Sequence, residues 1–513
     1  MLNRRDFLRT SAGLAAGAVA AGRLGELHAA GESKLTIAYG IPLLTLDPHK
    51  HDNSVHESVL RNVFEPLLTF SADLQKLEPL LCSSYSRLND LTLQFKLRQG
   101  VKFHNGEDFD AQSVKFTVER IFKAETQAPL LTTYQTIDRV DVIDRYTVNI
   151  VTKKPDPVLP RRMSSFHMNM LPPKYYATGS AEELARKPVG TGHYRFVSWQ
   201  KDADFVMEAN PGYWGPKPSI QKVTMRTIRE TGTRVAALLA GDVDIATALP
   251  PDEIDRINKS GKARAITLPG NRIPFYFLNV RQAPFNNKLV RQALNYGSNM
   301  DGIIKAVLEG HGFRRAVVSN PWHFGFDPTV QPFPYDPAKA KALLAQAGFS
   351  TGVNVNMHGI QGRYPKDKEI AEALAGELGK VGININLKFW EWGAWLEAAD
   401  ASKLDGLIFA SWGNAWMDAD LTYYPLFRSG GRYTVKWTGY KNADLDGLLD
   451  EARTTLDDGK RKELYGKVQR LMQDDCPALF MHALEDVYGV STRVEWKPRS
   501  DEMVRHYEMT LKA

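Results

Sequence analysis

The chain has 513 residues, too long for a single hydrophobic core, so two or three domains are expected. Its hydrophobic content of 43% and charged content of 24% are those of an ordinary soluble globular protein. The net charge of +6 is spread along the chain without a long basic run, which argues against nucleic acid as the partner. The two cysteines, Cys82 and Cys476, form neither a metal motif nor a disulfide framework; one disulfide or two buried thiols remain open.

The N-terminus is similar to an export leader. Arg4-Arg5 precede Phe7-Leu8 and then a run of Ala and Gly over residues 11–22, which resembles the leader of the twin-arginine route. The run is roughly a dozen residues, whereas a helix that spans a bilayer needs about 20. We therefore expect a signal peptide over residues 1–30 and a periplasmic mature protein without membrane insertion. A plain basic tail is the alternative.

Residues 91–122 predict a strand, a turn and a helix in succession. Apolar and polar residues alternate over 91–98, the period-2 pattern of a strand buried on one face. Asn105-Gly106 is a strong tight-turn dipeptide because both residues tolerate positive φ. Asp110 is placed to cap a helix whose apolar face is formed by residues 114–122.

The residues of this stretch also indicate a family. The run KLRQGVKFHNGE at 96–107 resembles the signature of family 5 extracellular solute-binding proteins, the dipeptide, oligopeptide and nickel receptors of bacterial ABC importers. Residues 189–194, 210–214 and 234–246 are also similar to segments of that family, and repeated helix-then-strand units favour α/β architecture. The resemblance implies a class II periplasmic-binding-protein fold, in which two lobes are joined by a hinge and an extra domain enlarges the first lobe.

On that basis the chain divides after the leader into three domains. Domain I takes residues 31–66, 193–275 and 479–513, domain II (the extra domain) takes residues 67–192, and domain III (the second lobe) takes residues 276–478.

A Trp-containing loop at 411–420 is the strongest candidate for solute binding. It is too polar and too rich in small residues to be core, and large aromatic faces with a few placed polar groups suit a small-molecule pocket. The loop resembles the family's specificity loop, and an early loop around residue 45 resembles a ligand-facing one. The predicted ligand-binding residues are Trp412, Trp416, Asn414, Asp418, Arg363, Trp392, Tyr276 and Thr45.

One position of this loop departs from the peptide receptors. Where they place an Asp that pairs with the α-ammonium of the peptide, this chain has Ala415. A methyl group cannot neutralise a buried cation, so binding of a plain dipeptide with a free N-terminus is in doubt. Asp418 or Asp420 could supply the missing charge, or the pair could form a solvated turn.

Arg363 lies near the position where dipeptide receptors clamp the substrate carboxylate, and its planar fork suits that role; an exposed loop Arg is the alternative.

His49, His51 and His56 form a cluster that we expect to be solvated. No metal and no cofactor is predicted.

The motifs do not favour an enzyme. The sequence has no G-x-S-x-G elbow, its HExxH is broken by Leu60, and the S-x-x-K at Ser219 lacks its companion motifs. A carboxylate pair of the glycosidase kind cannot be tested from sequence, so a secreted hydrolase stays the alternative of another class.

The resemblance implies a monomeric receptor that passes a small solute to an ABC permease and its ATPase. A peptide-like solute is expected; glutathione, an opine or a metal chelate are the alternatives.

Overall fold

The computed structural model describes residues 33–51, 53–129 and 131–512. The predicted signal peptide lies outside the described residues. No helix within the described part is long and apolar enough to cross a membrane.

The strands in chain order are β1 (Lys34–Tyr39), β2 (Leu68–Phe70), β3 (Leu77–Pro79), β4 (Cys82–Asn89), β5 (Thr92–Leu97), β6 (Ile137–Asp144), β7 (Thr147–Thr152), β8 (Tyr194–Trp199), β9 (Asp204–Ala209), β10 (Lys222–Thr227), β11 (Ile245–Ala246), β12 (Ala263–Pro269), β13 (Ile273–Leu278), β14 (Gly312–Arg314), β15 (Val353–Ile360), β16 (Ile383–Trp390), β17 (Leu407–Trp412), β18 (Ala478–Phe480), β19 (His482–Ser491), β20 (Val494–Glu495) and β21 (Thr510–Leu511).

The α-helices are α1 (Ser54–Leu60), α2 (Ala111–Ile121), α3 (Leu131–Tyr134), α4 (Leu159–Arg162), α5 (Pro173–Thr178), α6 (Ala181–Leu184), α7 (Thr231–Ala240), α8 (Ile254–Lys259), α9 (Lys288–Gly297), α10 (Met300–Val307), α11 (Pro337–Gln346), α12 (Asp367–Gly379), α13 (Trp392–Asp400), α14 (Ala419–Phe427), α15 (Ala443–Ala452) and α16 (Asp458–Asp475).

The first lobe is built on an eight-stranded sheet. Its order is β12-β19-β11-β1-β10-β9-β8, with β14 paired to β19. β1 runs parallel to both β10 and β11, so the loop after Tyr39 leaves the carboxyl edge of the sheet, where ligands bind in open α/β sheets.

The second lobe is built on a five-stranded sheet, in the order β16-β15-β17-β13-β18. All six residues of β13 are buried, and they belong to a continuous core that extends through the helices of this lobe. The continuous apolar run of β13 is typical of a strand buried on both faces.

The extra domain carries an antiparallel four-stranded sheet, β4-β5-β7-β6, covered by α2. The stretch that indicated the family folds as predicted. β5 alternates buried and more exposed residues, Gly106 adopts a φ of 88°, and Asp110 caps α2 by accepting the N–H of Gln112 at 2.9 Å.

Two crossings join the lobes: residues 270–272 connect β12 to β13, and Met481 connects β18 to β19. The predicted boundaries at 275/276 and 478/479 fall inside β13 and β18, both of which pair in the second-lobe sheet. Strand pairing therefore favours domain boundaries at 270–272 and at 481. In addition, β14 lies within residues 276–478, which were assigned to the second lobe, but pairs with the first-lobe strand β19. The assignment of domains otherwise stays a prediction.

Both cysteines are buried and free, which answers the question that the sequence left open. Cys82 lies in the core of the extra domain and Cys476 in that of the second lobe. Burial raises the pKa of the Cys82 thiol to about 11.

Candidate functional site

The cleft between the lobes is organised around Arg272, which lies in the first crossing. Its Nε and Nη2 each lie 3.2 Å from the carboxylate of Glu502, and Nη2 also donates to Ser54 Oγ at 3.2 Å. On the other side its guanidinium lies 5.6 Å from the ring of Tyr364 in the second lobe. Arg272 thus touches both lobes at the hinge.

Arg363 and Trp392, both predicted ligand residues, are neighbours in the second lobe. The guanidinium of Arg363 stacks on the Trp392 ring at 3.7 Å, and its Nε donates to Tyr364 Oη at 3.1 Å. No carboxylate of the described residues lies within 4.0 Å of the Arg363 guanidinium, although the backbone N–H of Arg363 donates to Asp367 Oδ2 at 3.0 Å. The side chains are half-buried, so the terminal amino groups of a fixed guanidinium remain for a ligand.

Trp412 is the residue of the predicted loop that lies beside the first crossing, where it pairs with Ile273, the residue after Arg272. It ends β17, is half-buried, and packs edge-on against Tyr433 at 5.9 Å. Its Nε1 is buried without a hydrogen-bond partner in the described part of the chain. An indole in this state offers an aromatic edge and an unused donor.

Asn414, Trp416 and Asp418 have a different role in the structure. Asn414 closes the loop on itself, donating to Asp418 O at 2.7 Å and to Thr422 Oγ1 at 2.9 Å. The Trp416 side chain is only 2% exposed and faces Val158 and Tyr134 of the extra domain. These side chains hold the loop in place and are not presented to the cleft.

The idea that Asp418 or Asp420 supplies a charge to the ligand is not supported by their contacts. Asp418 is fully buried, and Arg461 holds it through bonds of 2.5 and 3.0 Å. Burial raises its pKa, but the charges of Arg461 and Arg161 outweigh that effect and leave the pKa below its usual value. Asp420 lies 3.5 Å from both Arg162 and Arg453. The expectation of a solvated turn is wrong for the same reason: both carboxylates are buried in ion pairs.

Tyr276 and Thr45 lie at the edges of the site. Tyr276 is 1% exposed, packs edge-on against Phe409 at 5.5 Å, and borders a cavity of about 10 Å³ that Tyr364 also lines. Thr45 is half-buried in the loop after β1, where its Oγ1 accepts the N–H of Asp47 at 3.2 Å.

A second acid, Asp486, accompanies Glu502 at the crossing. The Asp486 carboxylate would lie 2.8 Å from a Cβ at Gly270, and its Oδ2 is buried with no hydrogen-bond partner in the part of the chain that the structure describes. Burial, reinforced by repulsion from Glu502, raises its pKa well above the usual value, although Arg272 opposes the shift. A proton or a cation is therefore favoured at this carboxylate.

Sequence reasoning missed Arg272, Glu502 and Asp486. A signal was present for Arg272, since it is a charged residue directly before the apolar run of β13. Nothing in the sequence showed that residues 486 and 502 would meet it, because they come together only through the return of β19.

The His cluster is buried, so its predicted solvation is wrong. His49, His51 and His56 are 0%, 6% and 1% exposed, and His51 stacks on Phe166 at 4.9 Å. Among the described residues no group of three or more His, Cys, Asp or Glu is arranged to hold a metal ion.

Two α/β lobes that meet at a pair of strand crossings, with a cleft lined by an Arg–Trp stack and a buried acid, define a two-lobed periplasmic-binding-protein fold. Residues 76–434 match the family described as bacterial extracellular solute-binding proteins, family 5 Middle. The chain belongs to this family.

Related proteins support the same family assignment over nearly the whole chain. The glutathione-binding protein GsiB of Pectobacterium atrosepticum is 30% identical over 91% of each chain. The dipeptide-binding protein of Escherichia coli K12 is 29% identical over 82% of this chain and 83% of its own. The periplasmic binding protein DppA of Helicobacter pylori, in complex with the peptide STSA, superposes with a TM-score of 0.82 at 26% identity, covering 94% of this chain and 98% of that one. The family consists of solute-binding proteins of ABC importers.

Proposed function

We propose that this protein captures a small solute bearing a carboxylate between its lobes and delivers it to the membrane permease of an ABC importer. The observation that carries the proposal is the Arg363 guanidinium, held over Trp392 with no carboxylate of the described residues within 4.0 Å of its nitrogens. Such a fork binds a carboxylate through two parallel hydrogen bonds. Contacts from both lobes to one solute stabilise the closed arrangement, so binding energy drives hinge closure.

The solute is not a plain dipeptide with a free N-terminus. Ala415 packs against an apolar cluster that contains Val158 and Trp416, and the nearby acids are paired with arginines. The acid left for an ammonium group is Asp486 at the crossing, because its Oδ2 is buried with no hydrogen-bond partner among the described residues, whereas Glu502 is paired with Arg272. A peptide-like solute with a modified N-terminus, glutathione or an opine fits this arrangement. A metal chelate is the less favoured alternative, because the Trp412–Asp420 loop carries no His.

The protein acts as a receptor and carries out no reaction on its solute. The cleft residues described above stack, donate and accept, and none is a nucleophile held beside a base. A secreted hydrolase is the alternative, and turnover of a bound solute would establish it.

The export leader belongs to the same proposal. Arg4-Arg5 with Phe7-Leu8 would direct the chain through the twin-arginine route, after which it would act as a monomer in the periplasm. A fusion of residues 1–30 to a reporter, tested with Arg4→Lys and Arg5→Lys together, should lose export if the route is correct. Export that persists would point to another route.

Native mass spectrometry of the purified protein tests the ligand directly. We expect a co-purifying solute with at least one carboxylate and no unmodified dipeptide. Calorimetry of the dialysed protein with that solute, with glutathione and with Ala-Ala then ranks the candidates. A recovered solute without any acidic group would overturn the assignment to Arg363.

A further inference from the structure

The extra domain grips the loop that carries the candidate ligand residues. Arg161, in α4, donates from Nη1 to the backbone carbonyls of Trp416 at 3.2 Å and Met417 at 3.0 Å, and its Nε lies 3.4 Å from Asp418 Oδ2. Met417 is also buried against Phe70 and Leu74. One arginine of the extra domain therefore fixes both the backbone and the buried acid of this second-lobe loop.

Arg162 makes a second contact beside the first. Its guanidinium lies 5.1 Å from the ring centroid of Trp416, and its Nη2 lies 3.5 Å from Asp420 Oδ2. Arg162 is 0% exposed, and Trp416 and Asp420 are each 2% exposed. Because the contact excludes water, its charge interactions are stronger than those of a surface pair.

The charges at this contact have partners on their own side. In the second lobe Asp418 bonds to Arg461 at 2.5 Å and Asp420 lies 3.5 Å from Arg453. In the extra domain Arg162 pairs with Asp156. If the two bodies separate, both Arg161 and Arg162 leave a carboxylate of the second lobe, but Arg162 keeps Asp156, and only Arg161 loses its paired acid. The Arg161 side chain is 19% exposed already, so water reaches it easily. The contact is suited to repeated opening, since no buried charge is left alone.

We propose that Arg161 and Arg162 act as a clamp by which the extra domain positions the Trp412–Asp420 loop and stabilises the closed arrangement of the lobes. The clamp rests on the proposed function, because it presupposes lobes that open and close. It assigns to Trp416, Asn414 and Asp418 a role in closure, and to Arg161 and Arg162 a positioning role without contact to the solute. Trp412 is then brought to the cleft by residues that the solute does not touch.

Single-molecule FRET on the full mature chain tests the clamp. Maleimide dyes are attached at Ile143→Cys in the extra domain and Val435→Cys in the second lobe, positions that are 55% and 59% exposed. The native thiols are buried and do not compete. In dialysed protein we expect Arg161→Gln to lower the ratio of closed to open molecules about tenfold, the effect of losing a charged hydrogen-bond network. Arg161→Lys should give a closed-to-open ratio between those of the parent and Arg161→Gln, because Lys keeps the charge but lacks the planar fork of the guanidinium.

Arg139→Gln is the matched control, since Arg139 is an exposed arginine of the same domain that pairs with Asp138 and Asp141. The clamp is overturned if Arg161→Gln and Arg161→Lys give the same closed fraction as this control. It is also overturned if they lower only the melting temperature and leave the closed fraction unchanged. A single dye separation in every protein, unchanged by the solute that mass spectrometry recovers from the purified protein, would instead show that the lobes do not move and would remove the proposed closure with it.

Discussion

Arg363 lies over the ring of Trp392, with its guanidinium carbon 3.7 Å from the centroid of the ring. Stacking restricts the rotamers of a long side chain before any ligand arrives, so less entropy is lost when the solute binds. The two residues lie on different elements, Arg363 before α12 and Trp392 at the start of α13, and Tyr364 Oη accepts the Arg363 Nε–H at 3.1 Å.

Replacing this arginine should weaken binding of an acidic solute. We expect Arg363→Gln to reduce the affinity for glutathione, or for the solute recovered by mass spectrometry, by about 10- to 100-fold, because charged hydrogen bonds contribute roughly 1.5–3 kcal/mol. Calorimetry measures the change. Arg363→Lys should not restore full affinity, and Arg139→Gln should bind like the parent. Equal affinity for Arg363→Gln and the parent would show that the carboxylate lies elsewhere.

Trp412 should report solute binding by fluorescence. Its half-buried indole has an unused Nε1 donor, whereas Trp416 is packed away from the cleft. We expect added solute to shift or quench Trp emission, Trp412→Phe to remove most of that change, and Trp199→Phe, in the first-lobe strand β8, to keep it. Trp412→Ala should also weaken binding, since an aromatic contact contributes about 1 kcal/mol. Binding unchanged in Trp412→Ala would remove this residue from the site.

Ala-Ala should bind poorly, because Ala415 offers no charge to its ammonium group. We expect calorimetry to detect no binding below about millimolar concentration, an affinity near −4 kcal/mol. Ala415→Asp is the converse variant: it should improve Ala-Ala binding at a cost in stability, because Ala415 adjoins the apolar cluster of Val158 and Trp416. Micromolar binding of Ala-Ala by the parent protein would contradict the assignment.

The sequence predicted the fold better than the site, for a physical reason. β5, the Asn105-Gly106 turn and the Asp110 cap are local structures, and local patterns encode them. Trp412 and Trp416 lie in one loop with similar surroundings in sequence, yet Trp412 is half-buried beside the first crossing and Trp416 is buried against Arg162. The burial of Trp416 depends on an arginine more than two hundred residues away in the chain, and Arg272 and Glu502 are similarly far apart.

The buried histidines should make the protein lose stability in acid. Burial lowers the pKa of His56 to about 4 and that of His167 to about 3, whereas both titrate near 6.5 when unfolded. The unfolded state therefore binds more protons below pH 6.5, so the stabilisation present above that pH is lost as pH falls from 6.5 toward 4. For His167 the loss at pH 5 is about 2 kcal/mol.

Urea unfolding at pH 7.5 and at pH 5 measures this loss. His167→Phe, which keeps an aromatic ring beside Phe166 and Tyr134, should reduce the difference between the two pH values. The same pH dependence in His167→Phe as in the parent would place the acid sensitivity in other groups.

Asp418 and Arg461 should contribute to the free energy of unfolding as one ion pair and not as two independent groups. Both side chains are almost fully buried, at 0% and 2% exposed, and their two bonds measure 2.5 and 3.0 Å. Asp418→Asn leaves the charge of Arg461 uncompensated, so we expect a loss of about 3–5 kcal/mol in the free energy of unfolding. The double variant Asp418→Asn with Arg461→Met should recover part of that loss, because it removes the unpaired cation and replaces the arginine by an unbranched apolar side chain. Urea unfolding of the parent, the two single variants and the double variant gives the coupling free energy. A coupling below about 0.5 kcal/mol would show that the pair acts as two independent groups.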